Sequence, residues 1–144
     1  MQKVFGMHKK SSDQIYHEIK ERIENDRLYM LTDLRRVKRL VAAKWILDPC
    51  EVEQIVREKL NMTFAQWLNS YRIDRAKELL GDPQYESEKI VDIAWKTGFN
   101  NLSDFQVHFR KCTECTPGEY RAFHMNFRKV MGISPAEYRL EYNR

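Results

Sequence analysis

Residues 105–121 read FQVHFRKCTECTPGEYR and residues 123–139 read FHMNFRKVMGISPAEYR, so one module occurs twice at an offset of 18. The shared frame is F-x-x-x-F-R-K, five variable positions ending in Thr or Ser, and P-x-E-Y-R. Two Phe four residues apart lie on one helix face. Ser/Thr-Pro-x-Glu is a capping box with Pro at the first helical position. Each copy therefore predicts a helix, a tight turn and a second helix.

A short amphipathic segment, Ile90–Phe99, precedes the first copy. A helix-turn-helix needs a small residue where its helices cross, a Gly in the turn and apolar anchors beneath the second helix. Residues of these kinds are Ala94, Gly98, Phe99, Phe105 and Phe109. The exposed positions of the second helix are then Asn101, Ser103, Asp104, Gln106, Val107 and Arg110, followed by Lys111. Asn and Gln pair with adenine and Arg pairs with guanine in the major groove, so double-stranded DNA is the predicted partner. A plain helical hairpin with a solvated polar face is the alternative.

Composition is that of a globular protein rather than a disordered one. The 144 residues are 42% hydrophobic and 32% charged, enough for one domain or two very small ones sharing a core. The net charge of +4 and the pI of about 9.0 permit a polyanionic partner without requiring one. No uncharged run approaches the length of a membrane span, and Met1–Lys10 lacks the apolar segment of a signal peptide. Three cysteines argue against a disulfide framework and fit a reducing cytoplasm.

Helical periodicity extends over the whole chain, and no strand pattern is found, so an all-α fold is predicted. Ser11–Gln14 forms a capping box that opens a helix with Ile15, Ile19 and Ile23 on one stripe. The further predicted helices are 33–44, 49–60, 63–80, 88–97, 101–111, 116–131 and a short one from Ser134. The helix 116–131 has an apolar stripe of Tyr120, Phe123, Phe127, Val130 and Met131.

A longer ordered pattern resembles the DNA-binding domain of AraC/XylS-type transcription regulators over about Leu31 to Arg121. Its parts are NMTFAQWLNSYRIDRAKELL at 61–80, IVDIAWKTGFNNLSDF at 90–105, then F-R-K and T-P-G-E-Y-R. The resemblance implies two helix-turn-helix subdomains joined by a long linker helix, here 63–80. It also implies that both recognition helices enter successive major grooves. We therefore expect three segments: an N-terminal helix and lead-in at 1–30, the double helix-turn-helix at 31–121, and a C-terminal extension at 122–144.

By position, the resemblance assigns the second recognition helix to Asn101–Lys111 and the first to Pro49–Lys59. In the first, Val52, Ile55 and Val56 would be the apolar anchors, and Cys50, Glu51, Glu53, Gln54 and Arg57 would face outward. The DNA-contacting candidates in the two helices are Cys50, Gln54, Arg57, Asn101, Ser103, Gln106, Val107, Arg110 and Lys111.

The sequence departs from the family pattern in three ways. Trp45–Leu47 replaces the usual Gly-containing turn of the first unit, and the outward carboxylates Glu51 and Glu53 would repel phosphates. Glu114 replaces the Gly that usually follows the second recognition helix, whereas the extra copy retains Gly132. The second unit is therefore the better predicted DNA reader. The three carboxylates favour a rival hypothesis, in which a degenerate helix-turn-helix module binds a protein instead.

The extra copy lies outside the family pattern, and three roles remain open for it. The first is packing on the domain, and the second is competition with the first copy for the groove beneath Ile90 and Ala94. The third is formation of a homodimer. The unbroken apolar stripe favours packing. Chain connectivity predicts that the first copy is the docked one, and that Phe123, Phe127 and Tyr138 are buried elsewhere, on this chain or a neighbour.

No enzymatic constellation or cofactor motif is found. Cys112, Cys115 and His108 resemble half of a zinc site without the remaining ligands, so no metal is expected, and Cys112 is predicted to be buried. The Trp residues are expected in the core. Arg35, Arg36, Lys38 and Arg39 are either phosphate contacts or a solvated face. RNA polymerase is a candidate second partner. Only about 30 residues precede the family region, so we expect no ligand-sensing domain of the usual kind.

Overall fold

The computed structural model describes residues 11–31, 33–44 and 47–142, and over these ranges the chain forms eight α-helices and no strand. The prediction of an all-α fold is confirmed. The chain divides into two compact units, residues up to Tyr71 and residues from Arg72 onward, and the long helix α4 (Phe64–Leu80) spans this division. No described helix is both long and apolar enough to cross a membrane.

The first unit contains α1 (Ser12–Asn25), a 3-10 turn at Leu28–Met30, α2 (Leu34–Lys44), α3 (Pro49–Leu60) and the start of α4. Side-chain caps begin these helices where the sequence predicts them. Ser11 and Gln14 form the capping box of α1, Asp33 accepts from two N–H groups of α2, Asp48 and Glu51 cap α3, and Thr63 and Gln66 cap α4. The predicted turn at Trp45 and Ile46 lies outside the described residues.

Fully buried aliphatic side chains from all four helices form the core of the first unit. They are Ile19, Ile23, Val37, Val41, Val52, Val56 and Leu68, with Phe64 among them. The Trp67 ring lies 5.6 Å from Tyr16 and 5.7 Å from Tyr71, so an aromatic cluster closes one side. The predicted stripe of α1 and the predicted anchors of α3 are therefore confirmed as core.

The second unit contains the remainder of α4, a 3-10 turn at Pro83–Tyr85, α5 (Ile90–Lys96), α6 (Leu102–Thr113), α7 (Pro117–Met131) and α8 (Pro135–Tyr142). Its core is a compact apolar set: Ile73, Ala76, Leu79, Leu80, Ile93, Ala94, Phe99, Phe105 and Phe109. The two Phe of the first module copy have 0% exposure, so the prediction that this copy is the docked one is confirmed.

The second module copy behaves differently. In α7, Tyr120 packs against the core, and His124 and Arg128 contact Gly81 at the end of α4. Phe123, however, is 56% exposed and Val130 is 80% exposed. The expectation of a buried stripe was therefore wrong for Phe123, Val130 and Met131 within this chain, whereas Tyr120 and Phe127 are partly buried. The reason is that α7 turns the side with His124 and Arg128 toward the end of α4.

Candidate nucleic-acid interface

The turn between α5 and α6 is fixed by backbone geometry and one hydroxyl. Gly98 has φ of +107°, a conformation that residues with a Cβ rarely adopt. The N–H of Phe99 then donates to the carbonyl of Ala94 at 3.1 Å, and the buried Thr97 hydroxyl donates to the same carbonyl at 2.9 Å. These contacts reverse the chain within a few residues and set the direction in which α6 leaves the turn.

Aromatic rings hold α6 from beneath. Phe105 lies 5.3 Å from Phe99 and 5.6 Å from Phe109, and Phe109 meets Tyr120 edge-on at 5.4 Å. The guanidinium of Arg72 lies 5.6 Å from the Phe99 ring, and burial lowers the pKa of Arg72 to about 10. With one face fixed in this way, the opposite face of α6 is presented to solvent in a defined orientation.

The predicted DNA-contacting side chains of the second unit all lie on that solvent face. The exposed positions are Asn101, Ser103, Asp104, Gln106, Val107, Arg110 and Lys111. Asn101 is also the N-cap of α6, where its side-chain oxygen accepts from the Asp104 N–H at 3.1 Å. Its amide NH₂ is then the group that is left to donate outward. Arg110 and Lys111 lie in the last turn, where positive charge interacts favourably with the helix dipole.

In the first unit, α3 likewise exposes the predicted polar set. Cys50, Gln54 and Arg57 are exposed, whereas Val52, Ile55 and Val56 on the other side are buried. Gln54 donates to Glu58 at 3.1 Å within the same exposed face. The exposed polar residues of α3 all belong to the first unit, and those of α6 all belong to the second.

The two carboxylates of α3 that were expected to face outward have structural roles, so that expectation was wrong. Glu51 accepts from the Asp48 N–H at 3.1 Å and completes the capping box of α3. Glu53 accepts from Lys38 at 2.8 Å and from the Phe64 N–H, at the start of α4, at 2.7 Å. Burial by itself would raise the pKa of Glu53, but these two hydrogen bonds outweigh burial and lower it.

Glu114 also has a backbone explanation. It ends α6 in the left-handed conformation with φ of +65°, as Gly132 ends α7 with φ of +79°, and each N–H donates to a carbonyl four residues earlier. The position requires the conformation that Gly adopts most easily, and Glu adopts it here at a cost. Its side chain is exposed and need not face a partner.

The basic cluster of α2 separates into two parts. Arg35, Arg36 and Arg39 are exposed, whereas Lys38 is turned inward to Glu53 and lies over the Phe64 ring at 5.8 Å. The solvated part of the cluster is therefore three arginines on the face of α2 opposite Val37 and Val41. Lys38 instead connects α2 to α3.

Two further expectations were wrong. Trp95 is 59% exposed rather than part of the core, because the neighbouring Ile93 and Ala94 take the buried side of α5. Cys112 is exposed rather than buried, like its counterpart Val130. Helical periodicity from Ala94 would have placed Trp95 outside, but its large apolar side chain suggested the core. Over the described part of the chain, no group of three or more His, Cys, Asp or Glu side chains is arranged to hold a metal ion.

Comparison with known proteins assigns this architecture to a family. A family model described as a helix-turn-helix domain, of the AraC type, matches residues 41–122, more than half of the chain. The chain belongs to the AraC-type helix-turn-helix family. The match begins inside α2 and ends inside α7, so it includes both predicted recognition helices and excludes the whole second module copy, residues 123–139.

Similar proteins include two curated regulators and one solved structure. The chain is 38% identical over 71 residues to the HTH-type transcriptional activator RhaR of Mannheimia succiniciproducens, covering 49% of this chain and 25% of that protein. It is 30% identical over 82 residues to the arabinose operon regulatory protein of Salmonella typhimurium, covering 57% and 28%. An AraC-type transcriptional regulator structure from Chromobacterium violaceum is 25% identical with a TM-score of 0.53, covering 59% and 73%. The chain thus spans about a quarter of the length of these curated relatives.

Proposed function

We propose that this AraC-type chain binds double-stranded DNA sequence-specifically and regulates transcription, with α6 inserted in the major groove. The observation that supports this most directly is the division of α6 into two faces. Phe105 and Phe109 are fully buried, and Gln106 and Arg110, four residues apart, project together from the exposed side. Gln reads adenine and Arg reads guanine through paired hydrogen bonds in the major groove.

In this proposal α3 is the other recognition helix and contacts DNA as well. Gln54 and Arg57 would face base edges or phosphates, and Cys50 at the start of the helix would offer a small apolar contact. Residues 31–121 would form the DNA-binding part, preceded by the helix of 1–30 and followed by the extension of 122–144. The rival interaction-module reading loses its main support, because Glu51, Glu53 and Glu114 are accounted for by caps and by backbone conformation.

Exposed cations would provide the affinity that does not depend on sequence. Arg35, Arg36 and Arg39 on α2, Arg57 on α3 and Lys111 on α6 are candidates for phosphate contacts. If about five phosphates are neutralised, the logarithm of the binding constant should fall with the logarithm of salt concentration at a slope of about −4.5. RNA polymerase is a candidate second partner under this proposal, because it is the enzyme whose activity a transcription regulator controls.

The test begins with selection of bound duplexes from a random library, followed by affinity measurements on the selected site at several salt concentrations. We expect one enriched motif and a steep salt slope. Gln106→Ala should weaken binding about 10-fold to 100-fold and relax the preference at one or two base pairs. Gln84→Ala, in the exposed 3-10 turn, is the matched control and should bind as the unaltered chain does. No enrichment, or equal binding by Gln106→Ala and the unaltered chain, would refute the proposal.

A further inference from the structure

The second module copy leaves an ordered apolar surface open to solvent. We define the α7–α8 face by five side chains: Phe123, Phe127, Val130, Tyr138 and Tyr142. The four aromatic rings of this face lie in a continuous row. The ring centroids are 5.9 Å apart for Phe123 and Phe127, 5.6 Å for Phe127 and Tyr138, and 4.6 Å for Tyr138 and Tyr142. At the margins of the row, Phe123, Val130 and Tyr142 remain more than half exposed. A patch of this kind on a small domain marks a contact site.

Contacts on its other side fix α7 in this orientation. His124 stacks on Tyr120 at 4.3 Å and lies against Gly81, where the space for a side chain is filled by the His124 ring. Arg128 donates to the Gly81 carbonyl at 3.0 Å, and Arg121 donates to the Glu88 carbonyl at 2.6 Å. Turning α7 to bury Phe123 on this unit would break these contacts. The contacts of His124, Arg128 and Arg121 therefore keep the α7–α8 face directed toward solvent.

The spacing of the open positions indicates what kind of surface fits. Phe123, Phe127 and Val130 are separated by four and three residues, which is the a/d spacing of helices that pair along a shallow crossing. A second α-helix with the same spacing would place its side chains between these. Such a helix is available at equal concentration in every other copy of this chain.

We propose that the α7–α8 face pairs with the same face of a second copy, forming a two-fold symmetric dimer. The charges around the face are compatible with pairing to a second copy, because the exposed ones include both signs. They are Glu119, Lys129, Glu137, Arg139 and Glu141. In an isologous contact residue i of one copy meets residue j of the other, so charges of opposite sign can pair across the axis. The α6 face, with Arg110 and Lys111 together, would instead place like charges closer to one another.

The size of the face sets the strength of the dimer. Partly exposed aromatic and aliphatic side chains in this number expose on the order of 400 Å² per copy. That is about half of what each partner contributes to a standard interface, so the dimer should be weak and should depend on protein concentration. If the proposed function holds, DNA carrying two adjacent sites would strengthen it through effective concentration.

The test is sedimentation velocity of the full chain under reducing conditions from about 5 to 500 μM, a range chosen for the weak association expected of an interface below standard size. We expect the sedimentation coefficient to rise from the monomer to the dimer value. Phe123→Glu and Val130→Glu should each weaken dimerisation at least about tenfold, because each buries a charge in the interface. Val107→Glu is the matched control, since Val107 is 59% exposed on α6, and it should dimerise as the unaltered chain does. Circular dichroism and thermal melting check that all three variants are folded.

A chain that stays monomeric throughout, or variants at 123 and 130 that dimerise normally, would overturn the inference. So would loss of dimerisation in Val107→Glu with retention in Phe123→Glu. If the chain stayed monomeric and bound RNA polymerase through Phe123, the face would be a binding site for that protein and not for a second copy. DNA binding is scored separately: Val107→Glu should weaken binding to a single site, and Phe123→Glu should weaken only binding to paired sites. A dimer without DNA binding would refute the proposed function alone.

Discussion

The two module copies, residues 105–121 and 123–139, have eight of 17 positions in common and nearly the same local geometry. In the first copy the Thr116 N–H donates to Glu119 at 2.8 Å, and in the second the Ser134 N–H donates to Glu137 at 2.9 Å. The Phe and Tyr rings that straddle the turn meet edge-on in both, at 5.4 Å and 86° and at 5.6 Å and 83°. Each first helix ends in the left-handed conformation.

Their surroundings differ completely. The Phe pair of the first copy is buried with Ile93, Ala94 and Phe99. The rings paired with Phe123 and Phe127 of the second copy are His124 and Tyr138, both within α7 and α8, and Phe123 is 56% exposed. Equivalent arginines exchange roles as well: Arg110 is exposed while Arg128 binds the Gly81 carbonyl, and Arg121 binds the Glu88 carbonyl while Arg139 is exposed. The same local sequence therefore builds the same local structure, and tertiary contacts decide what it does.

The largest expected difference between the copies is in stability. Phe109→Ala should lower the free energy of unfolding by about 3–5 kcal/mol, because it empties a fully buried aromatic site. Phe127→Ala, the matched change, should cost about 1 kcal/mol in dilute monomer, because Phe127 is only partly buried. Urea denaturation followed by circular dichroism measures both. Equal losses would show that the second copy is docked as firmly as the first.

The exchange of arginine roles predicts a difference in DNA affinity. Arg110→Ala should weaken binding to the selected duplex by about 1–3 kcal/mol, because an exposed guanidinium on the reading helix is lost. Arg128→Ala should leave affinity for a single site unchanged, because this side chain is directed to the Gly81 carbonyl. Fluorescence anisotropy at fixed salt compares them. A larger effect from Arg128→Ala than from Arg110→Ala would reverse the assignment of the two helices.

The residues that end the two first helices allow a reciprocal test. Glu114→Gly should stabilise the chain by up to about 1 kcal/mol, because Gly adopts the left-handed conformation without steric cost. Gly132→Ala should destabilise α7 by about 1 kcal/mol, since Ala meets strain there although open space surrounds the site. Thermal melts give both signs. Destabilisation by Glu114→Gly would mean that the Glu114 side chain makes a contact worth more than the strain.

The smallest expected effect is on the pH dependence of stability. Hydrogen bonds from the backbone and then from the side chain of Thr116 hold the pKa of Glu119 below its usual 4.5, and Ser134 does the same for the pKa of Glu137. A carboxylate with a lowered folded-state pKa stabilises the fold above its unfolded pKa, and that contribution is lost as pH falls through the folded value. Glu119→Gln should therefore flatten the stability profile below pH of about 4.5, the usual carboxyl value.

Glu137→Gln is the control for that measurement. Gln at this position keeps the capping hydrogen bond, as Gln14 does in α1, and removes only the titrating charge. Only Pro135 of α8 is buried, so this change should affect fraying of α8 without changing global unfolding. Denaturation monitored from pH 3 to pH 7, a range that spans ordinary carboxyl pKa values, compares the two variants. An equal flattening in both would show that α8 unfolds together with the core.

Much of the fold followed from contacts within a few residues of each other. Capping boxes at Ser11 and Thr116 predicted where two helices begin, and each begins there. Helical spacing correctly separated the buried anchors Phe105 and Phe109 from the exposed positions of α6. These features are readable because a cap or a helix face involves residues at most four apart. The DNA-contacting roles of those exposed positions stay predictions.

Other features depend on residues that are distant in sequence, and only the tertiary structure decided them. Glu53 caps α4 from 11 residues away, so its carboxylate looked like an outward charge when it is an internal acceptor. Cys112 and Trp95 resemble core residues in type, yet the sides of α6 and α5 that pack are taken by others. Which of the two related modules fills the groove is likewise not determined by the sequence of either module. The groove is made by α4 and α5, and the connection through Gly98 brings only the first copy to it.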